Sequence, residues 1–338
     1  MVQPAVTIVI LNWNGPEETL QCLESVRGLD YPRYEVIVVD NGSQDDSRNR
    51  IRQWALEHGD EFSFREILQG ITPADPPAPS GRIPLELICT GKNLGFCGGN
   101  NLAILHRFSR GDPPQYFLFL NNDARVHPHC LKVLVEVAEG SRAGIVGALV
   151  LGSGSRPQAS PSPCRYRERL WVNGAAMLIR RDVLERIHTH TRRYFDEGLF
   201  LYGEEIDLCL WARRLGFKVV QAKGALVFHK RAQSSGGRFS PVSYYYSTRN
   251  RIVVFDRFLS QPLKAFFHFC NLFLCLAQIL RNLVALRPRA ARAILCGIRD
   301  AYRGTLGKWK DHDREVFRLR PPPSEPPVSP GHLPEPRG

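Results

Sequence analysis

Short apolar runs recur along the first 150 positions, and each stops at a polar cluster. Val6-Thr7-Ile8-Val9-Ile10-Leu11 ends in Asn12-Trp13-Asn14-Gly15, and Tyr34-Glu35-Val36-Ile37-Val38-Val39 ends in Asp40-Asn41-Gly42-Ser43. Leu85 to Cys89 and Tyr116 to Leu120 repeat the pattern. Runs of this length bounded by turn residues read as buried strands. Between them the period becomes helical. Pro16-Glu17-Glu18 opens one helix, with proline and acids in its first turn and Leu20, Leu23 and Val26 as its stripe. A second ends near His58-Gly59, and a glycine-led third runs from Gly95 to Arg107. Alternating strands and helices predict an α/β fold with a doubly wound, mostly parallel sheet.

Two stretches interrupt this rhythm. Gly70 to Pro84 is proline-rich and reads as a surface loop, and Gly152 to Pro163 is a second break. Beyond it, Trp171 to Ile179 reads as a strand and Glu204 to Leu215 as a helix, with short strands at Lys218 to Val220 and Ala225 to Phe228. The expected organisation is two halves of one domain at 1–150 and 151–260, a helical segment at 261–318 and a disordered, proline-rich tail at 319–338.

Residues 263–286 stand apart. The stretch is too polar to read as a transmembrane span, which takes about 20 apolar residues. Its polar positions (Lys264, His268, Asn271, Cys275, Gln278, Asn282) recur at spacings of three and four on a helix otherwise made of Phe, Leu, Ala and Ile. The helix either packs on the domain or lies amphipathically in a membrane interface. The second is favoured, because a long phenylalanine-rich face is costly to leave in water.

Composition narrows the classes. A content of 43% hydrophobic and 23% charged residues in 338 suits a folded soluble protein. The net charge of +12 is concentrated partly in Arg281, Arg287, Arg289, Arg292, Arg299, Arg303, Lys308 and Lys310. Such a face attracts nucleic acid, anionic lipid or an anionic substrate. No RNA-binding or zinc-finger pattern accompanies it, so nucleic acid is not an expected partner. Nine cysteines, none in a Cys-x-x-Cys pair, fit reduced and buried thiols of the cytoplasm. No basic region or cleavage site precedes Val6, so a secretory signal is not expected.

In open α/β sheets ligands sit outside the carboxyl ends of the strands. Asp40 ends one strand and could bond a base or a ribose hydroxyl, although turn aspartates are common there. Lys92 and the glycine-rich stretch Asn93 to Asn101 could meet a diphosphate at a helix start, but the stretch lacks dinucleotide spacing. Asp123, after Asn121-Asn122, is the best candidate for a hard divalent ion, Mg2+ or Mn2+. Glu204, Glu205 and Asp207 put three carboxylates within four positions beside apolar sequence. Crowded, half-buried acids raise each other's pKa, as a general base requires. His229 ends a strand beside Lys230 and Arg231 and could contact a metal or diphosphate.

Taken in order, these segments resemble glycosyltransferase family 2, inverting enzymes of GT-A fold, and most of all its rhamnosyltransferase-like branch. The resemblance runs from about residue 5 to about residue 255. It rests on Val6 to Asn14, Val38 to Ser43 with Asp45, Asn93 to Asn101, Leu120 to Asp123, Val172 to Arg181, Phe195 to Glu197 with Phe200 to Arg213, His229, and Tyr246 with Arg249-Asn250. It implies that Asp40 binds the nucleotide base, with Asn12, Asn14, Asn41, Lys92, Asn93, Gly95, Asn101, Asn121 and Asn122 around the donor. Asp123 then holds the metal with His229, and Asn121 stands where the family's first acid would be. Glu205, preceded by Glu204, takes the base position one methylene longer than usual, and Trp171, Asn173, Gly174 and Asp207 form the sugar and acceptor pocket. The first half would hold the nucleotide sugar and the second the acceptor.

The resemblance further implies a nucleoside diphosphate sugar as donor, dTDP-rhamnose-like or UDP-linked, and a glycan or lipid-linked acceptor. The protein would be cytoplasmic and peripheral at the inner face of the plasma membrane, touching it through 263–310. One rival, a sugar-phosphate nucleotidyltransferase, would want a glycine- and lysine-rich loop where the chain has Asn12 to Gly15. The other is a non-catalytic basic membrane-associated module.

Overall fold

The computed structural model describes residues 3–68, 81–152, 165–229 and 239–319. Most of the expected 70–84 loop, the 152–163 break and the 319–338 tail lies outside the described residues.

One ten-stranded sheet organises the molecule. The strands are β1 (Val6–Asn12), β2 (Tyr34–Asp40), β3 (Phe62–Leu68), β4 (Ile83–Cys89), β5 (Tyr116–Asn121), β6 (Ala124–Val126), β7 (Ile145–Gly152), β8 (Tyr166–Glu168), β9 (Ala176–Arg180) and β10 (Val219–His229). Their order is β3-β4-β2-β1-β5-β9-β7-β10-β6, with β8 on β10. From β3 to β5 every pairing is parallel, and β9 then enters reversed between β5 and β7. The register sets Asn12 level with Asp40 and Leu11 level with Asn121, so the polar strand ends share one edge.

Helices α1 (Pro16–Arg27), α2 (Ser47–Glu57), α3 (Gly95–Ser109), α4 (Cys130–Ser141), α5 (Arg181–Thr191) and α6 (Glu204–Arg214) cover the sheet. Alternate strand residues go to opposite cores, as the period of two requires. Ile8, Ile10, Val36 and Val38 pack with α1, α2 and α4, whereas Val9, Ile37 and Val39 pack with α3, α5 and α6. A further layer holds α7 (Pro241–Phe258), α8 (Leu263–Val284), α9 (Pro288–Tyr302) and α10 (His312–Leu319). Ser240 caps α7 by accepting from the Ser243 amide.

The expected 171–179 strand begins only at Ala176, because residues 171–175 leave the sheet toward its carboxyl edge. The two short strands expected over 218–228 are the single strand β10, whose pairing with β7 shifts between Gln221 and Leu226. β3, β6, β7, β8, α4, α5 and α7 have no counterpart in the sequence reading. The cysteines among the described residues are free and buried, except exposed Cys270.

α8 reverses the usual arrangement of an amphipathic helix. Its polar stripe faces inward: Asn271, Cys275 and Asn282 are buried, Arg251 donates to Asn271 Oδ1 at 2.8 Å, and His268 lies 3.1 Å from Asp256. Its apolar side, with Phe266, Phe269, Leu272, Phe273, Leu276 and Leu280, is exposed. Contrary to the sequence reading, α8 is long and apolar enough to cross a membrane by length and composition, which for one helix is weak evidence.

Candidate active site

The site is built around the loop that precedes α6. Phe200 (φ 64°), Tyr202 (φ 64°) and Gly203 (φ 88°) all adopt the left-handed conformation within four positions. For the two aromatic residues this costs on the order of 1–3 kcal/mol each, so the surroundings must impose it. They do so through α7. Arg249 donates to the carbonyls of Gly198 (3.0 Å) and Leu199 (2.8 Å), and Asn250 Nδ2 donates to those of Leu199, Leu201 and Tyr202 at 2.6–2.9 Å. The loop also presses on α3: the Phe96 amide donates to Phe200 O at 2.7 Å, and a Cβ on Gly95 would lie 2.5 Å from the Phe200 ring. Only glycine fits at Gly95, whose φ is itself +73°.

Held in this way, the first turn of α6 delivers Glu204 and Glu205 to a cavity of about 480 Å³. Asn121, Asn122 and Asp123 reach it from the end of β5, His229 from the end of β10, and Asn173 and Gly174 from the segment before β9. Antiparallel pairing of β6 with β10 sets His229 opposite Ala124, next to Asp123. His229 Nε2 therefore lies 2.8 Å from Asp123 Oδ1 and 3.3 Å from Asn121 Nδ2. A Cβ on Gly174 would lie 3.4 Å from Glu205 Cβ, so the glycine leaves space for that side chain.

Both glutamates are raised above the ordinary carboxyl range. Burial does most of this for Glu204 and the Glu205 charge adds to it; burial is the main cause at Glu205, opposed by backbone hydrogen bonds from its own amide and that of Gly203. Glu204 Oε2 is buried without a hydrogen-bond partner. Burial and the neighbouring Glu205 charge thus both favour the protonated form of Glu204. One carboxylate and one imidazole at 2.8 Å make a two-ligand donor set suited to a divalent ion that takes its other ligands from phosphate and water. Among the described residues no group of three or more His, Cys, Asp or Glu could hold a metal alone.

The family model described as glycosyl transferase family 2 matches residues 7–200, a span that takes in β1 from Thr7, the Asn121–Asp123 turn and the chain as far as Phe200. The chain belongs to glycosyl transferase family 2. It is similar to a low-salt glycan biosynthesis hexosyltransferase of Haloferax volcanii, 22% identical over 277 residues, or 76% of this chain and 78% of the relative. It is also similar to an N-acetylglucosaminyl-diphospho-decaprenol L-rhamnosyltransferase of Mycobacterium tuberculosis, 26% identical over 207 residues covering 49% of this chain and 66% of that enzyme. Among solved structures, a Pyrobaculum calidifontis mannosyltransferase in complex with GDP-Man and Mn2+ aligns at TM-score 0.56 and 16% identity, covering 89% of this chain and 88% of that one. S. aureus TarS in complex with UDP-GlcNAc aligns at TM-score 0.52 and 15% identity, covering 77% of this chain and 69% of that one. These likenesses show the GT-A fold.

Within this glycosyltransferase the expected residues divide. Asn41, Asn93, Gly95, Asn121, Asn122, Asp123, Asn173, Gly174, Glu204, Glu205 and His229 all line the cavity. The others expected at the site do not. Asp40 is buried and accepts from Asn12 Nδ2 at 2.8 Å and Ser43 Oγ at 2.5 Å, tying β1 to β2. Asn14 accepts from the Gln44 amide, Asn101 bonds Phe195 and Glu197, and Lys92 is exposed. Trp171 is exposed and lies edge-on to Phe255. Asp207, two positions and about 200° round the helix from Glu205, pairs instead with Arg257 at 2.5 Å. The cavity also includes Trp13, Phe200, Tyr202, Ser243 and His312, which the sequence reading did not assign to it. Trp13 could have been found from its place between Asn12 and Asn14.

Asn250→Ala removes the Asn250 donor from the carbonyls of Leu201 and Tyr202, while Leu199 O keeps Arg249, and should cost about 2–3 kcal/mol. Hydrogen exchange should speed up at 199–206 and stay slow in β1 and β2; unchanged exchange at the loop would refute the clamp. Because the Glu204 pKa is raised in the folded state, that state binds the proton more tightly than the unfolded one. Wild-type stability should therefore fall as pH rises above the ordinary glutamate value of 4.5. Glu204→Gln removes this loss, so denaturant midpoints should favour the variant at neutral pH and converge in acid; equal midpoints at both would contradict a buried acid.

Proposed function

We propose that this family 2 enzyme is an inverting transferase that moves a sugar from a nucleoside diphosphate to a hydroxyl of a glycan or lipid-linked acceptor. The reading is carried by one observation: the Asp123–His229 pair and Glu205 face the same cavity. A dTDP-linked deoxysugar or a UDP-hexose is the donor class, supported by the mycobacterial relative named as an L-rhamnosyltransferase and by the hexosyltransferase of Haloferax volcanii. The diphospho-decaprenol in the first of these names supports a lipid-linked acceptor.

Glu205 accepts the proton of the acceptor hydroxyl. The oxygen attacks the anomeric carbon from the face opposite the diphosphate, and the carbon–oxygen bond to the diphosphate breaks with its electron pair leaving on that group. One displacement inverts the anomeric centre. Asp123 and His229 would hold Mg2+ or Mn2+, which when bound supplies positive charge to the departing diphosphate. Asn121 and Asn122 line the wall beside them, and Asn173 with Gly174 shapes the approach to Glu205.

The same reading places the enzyme on the cytoplasmic face of a membrane. The exposed apolar side of α8 continues into exposed Arg287, Arg289 and Arg292, a combination suited to acyl chains beside anionic headgroups. An acceptor carried by a lipid would then be presented from the surface on which the enzyme sits.

Glu205→Gln should lower turnover by about 10²–10⁴ while nucleotide binding persists; a variant that turns over at the wild-type rate on a donor panel would remove Glu205 as the base. Asp123→Ala should abolish the Mn2+ dependence of nucleotide binding in calorimetry, and a wild-type affinity indifferent to chelator would count against the metal. Phe269→Glu with Phe273→Glu should release the protein from phosphatidylglycerol vesicles in flotation. Wild-type protein that stays with the soluble fraction would end the membrane reading.

A further inference from the structure

His312, the first residue of α10, has both ring nitrogens buried with no hydrogen-bond partner. The residue is 3% exposed and lines the same cavity as Asp123 and Glu205. An unmet buried polar group costs about 1–3 kcal/mol, and such groups in a ligand cavity call for a ligand to complete them. Its position is well determined. The ring packs against Trp13 (5.8 Å between centroids), Phe200 (5.3 Å, edge-on) and Tyr246 (5.7 Å). The preceding segment is anchored by the Trp309 amide donating to Tyr246 Oη at 2.8 Å and by Arg249 donating to Gly307 O at 2.7 Å.

The chemistry points to an anion. Burial, helped by Lys308 and opposed by Asp313, pushes His312 down to about 4, so at neutral pH the ring is uncharged and offers one N–H. The two nearby acids are countered, Asp313 by Lys308 at 2.7 Å and Asp311 by Arg292 at 3.8 Å. Among the described lining residues there is no lysine or arginine, and His312 is one of the neutral donors they offer.

We propose that His312 is a donor-binding residue that donates a hydrogen bond to a phosphoryl oxygen of the nucleoside diphosphate, which makes α10 part of the donor site. This rests on the transferase reading above and adds a contact outside residues 7–200, the span of the family match.

Calorimetric titration of the full chain with UDP, dTDP and GDP in the presence of Mn2+ tests it. His312→Phe keeps the aromatic packing and removes both nitrogens; His312→Gln keeps a donor on a different frame. The diphosphate that binds wild type should bind His312→Phe at least about tenfold more weakly, with His312→Gln intermediate. The parent nucleoside, followed by ligand-observed NMR, should bind all three alike, and His312→Phe should melt no lower than wild type. Wild-type affinity in a folded His312→Phe overturns the proposal, and so does a large drop in melting temperature in both variants, which would make the ring a structural element. If no diphosphate binds wild type, the donor-site reading fails and this contact with it.

Discussion

A single buried cation holds the site in shape. Arg249 is wholly inaccessible to solvent, and no carboxylate forms an ion pair with it among the described residues. Its guanidinium is spent on the carbonyls of Gly198, Leu199 and Gly307 and on Asn250 Oδ1, with the Tyr245 and Tyr246 rings 5.2 and 5.1 Å away. A buried charge is tolerable only when its hydrogen bonds are met, and the planar fork of arginine suits several carbonyls at once. The two consequences are a strained loop before α6 and a C-terminal segment tied to that loop. The Gly307 amide closes the same knot on Gly198 O at 2.7 Å. Glu204, Glu205 and His312 all owe their positions to it.

Helix ends contribute to the electrostatics of the cavity. α3, α6 and α10 each bring their first residues to it: Gly95 and Phe96, Glu204 and Glu205, and His312. N-terminal ends carry partial positive charge, which favours an anionic ligand and stabilises a carboxylate at Glu205. Burial pulls the other way and raises both adjacent acids. Asp123 and His229 add an acid–imidazole contact at the junction of two strand ends.

α8 shows how little a helical pattern says about its own orientation. The stripe of Lys264, His268, Asn271, Cys275, Gln278 and Asn282 is plain in the sequence, and ordinarily a polar stripe meets water. Here Arg251, Asp256 and Tyr302 offer it partners from α7 and α9, so it turns inward. The greasy majority of the circumference is left outside. No periodicity in α8 itself could reveal this, because the partners belong to other helices.

What the sequence determined by itself was local: strand runs, helix starts, the polar residues that close each strand, and an ordered set of motifs resembling one family. Those follow from short-range sterics and from the two periods of the backbone, which need only neighbouring residues. Which polar ends share a cavity was decided by tertiary structure. Asp40 and Asp123 both close apolar strands, yet only Asp123 lines the pocket, because Asn12 and Ser43 claim Asp40. Glu205 and Asp207 stand two positions apart, and helix rotation sends one to the cavity and the other to Arg257. His312 enters the site 189 positions after Asp123, on a helix whose placement depends on the Arg249 knot. Contacts over such separations depend on how whole surfaces fit together, and a linear pattern records each surface without its partner.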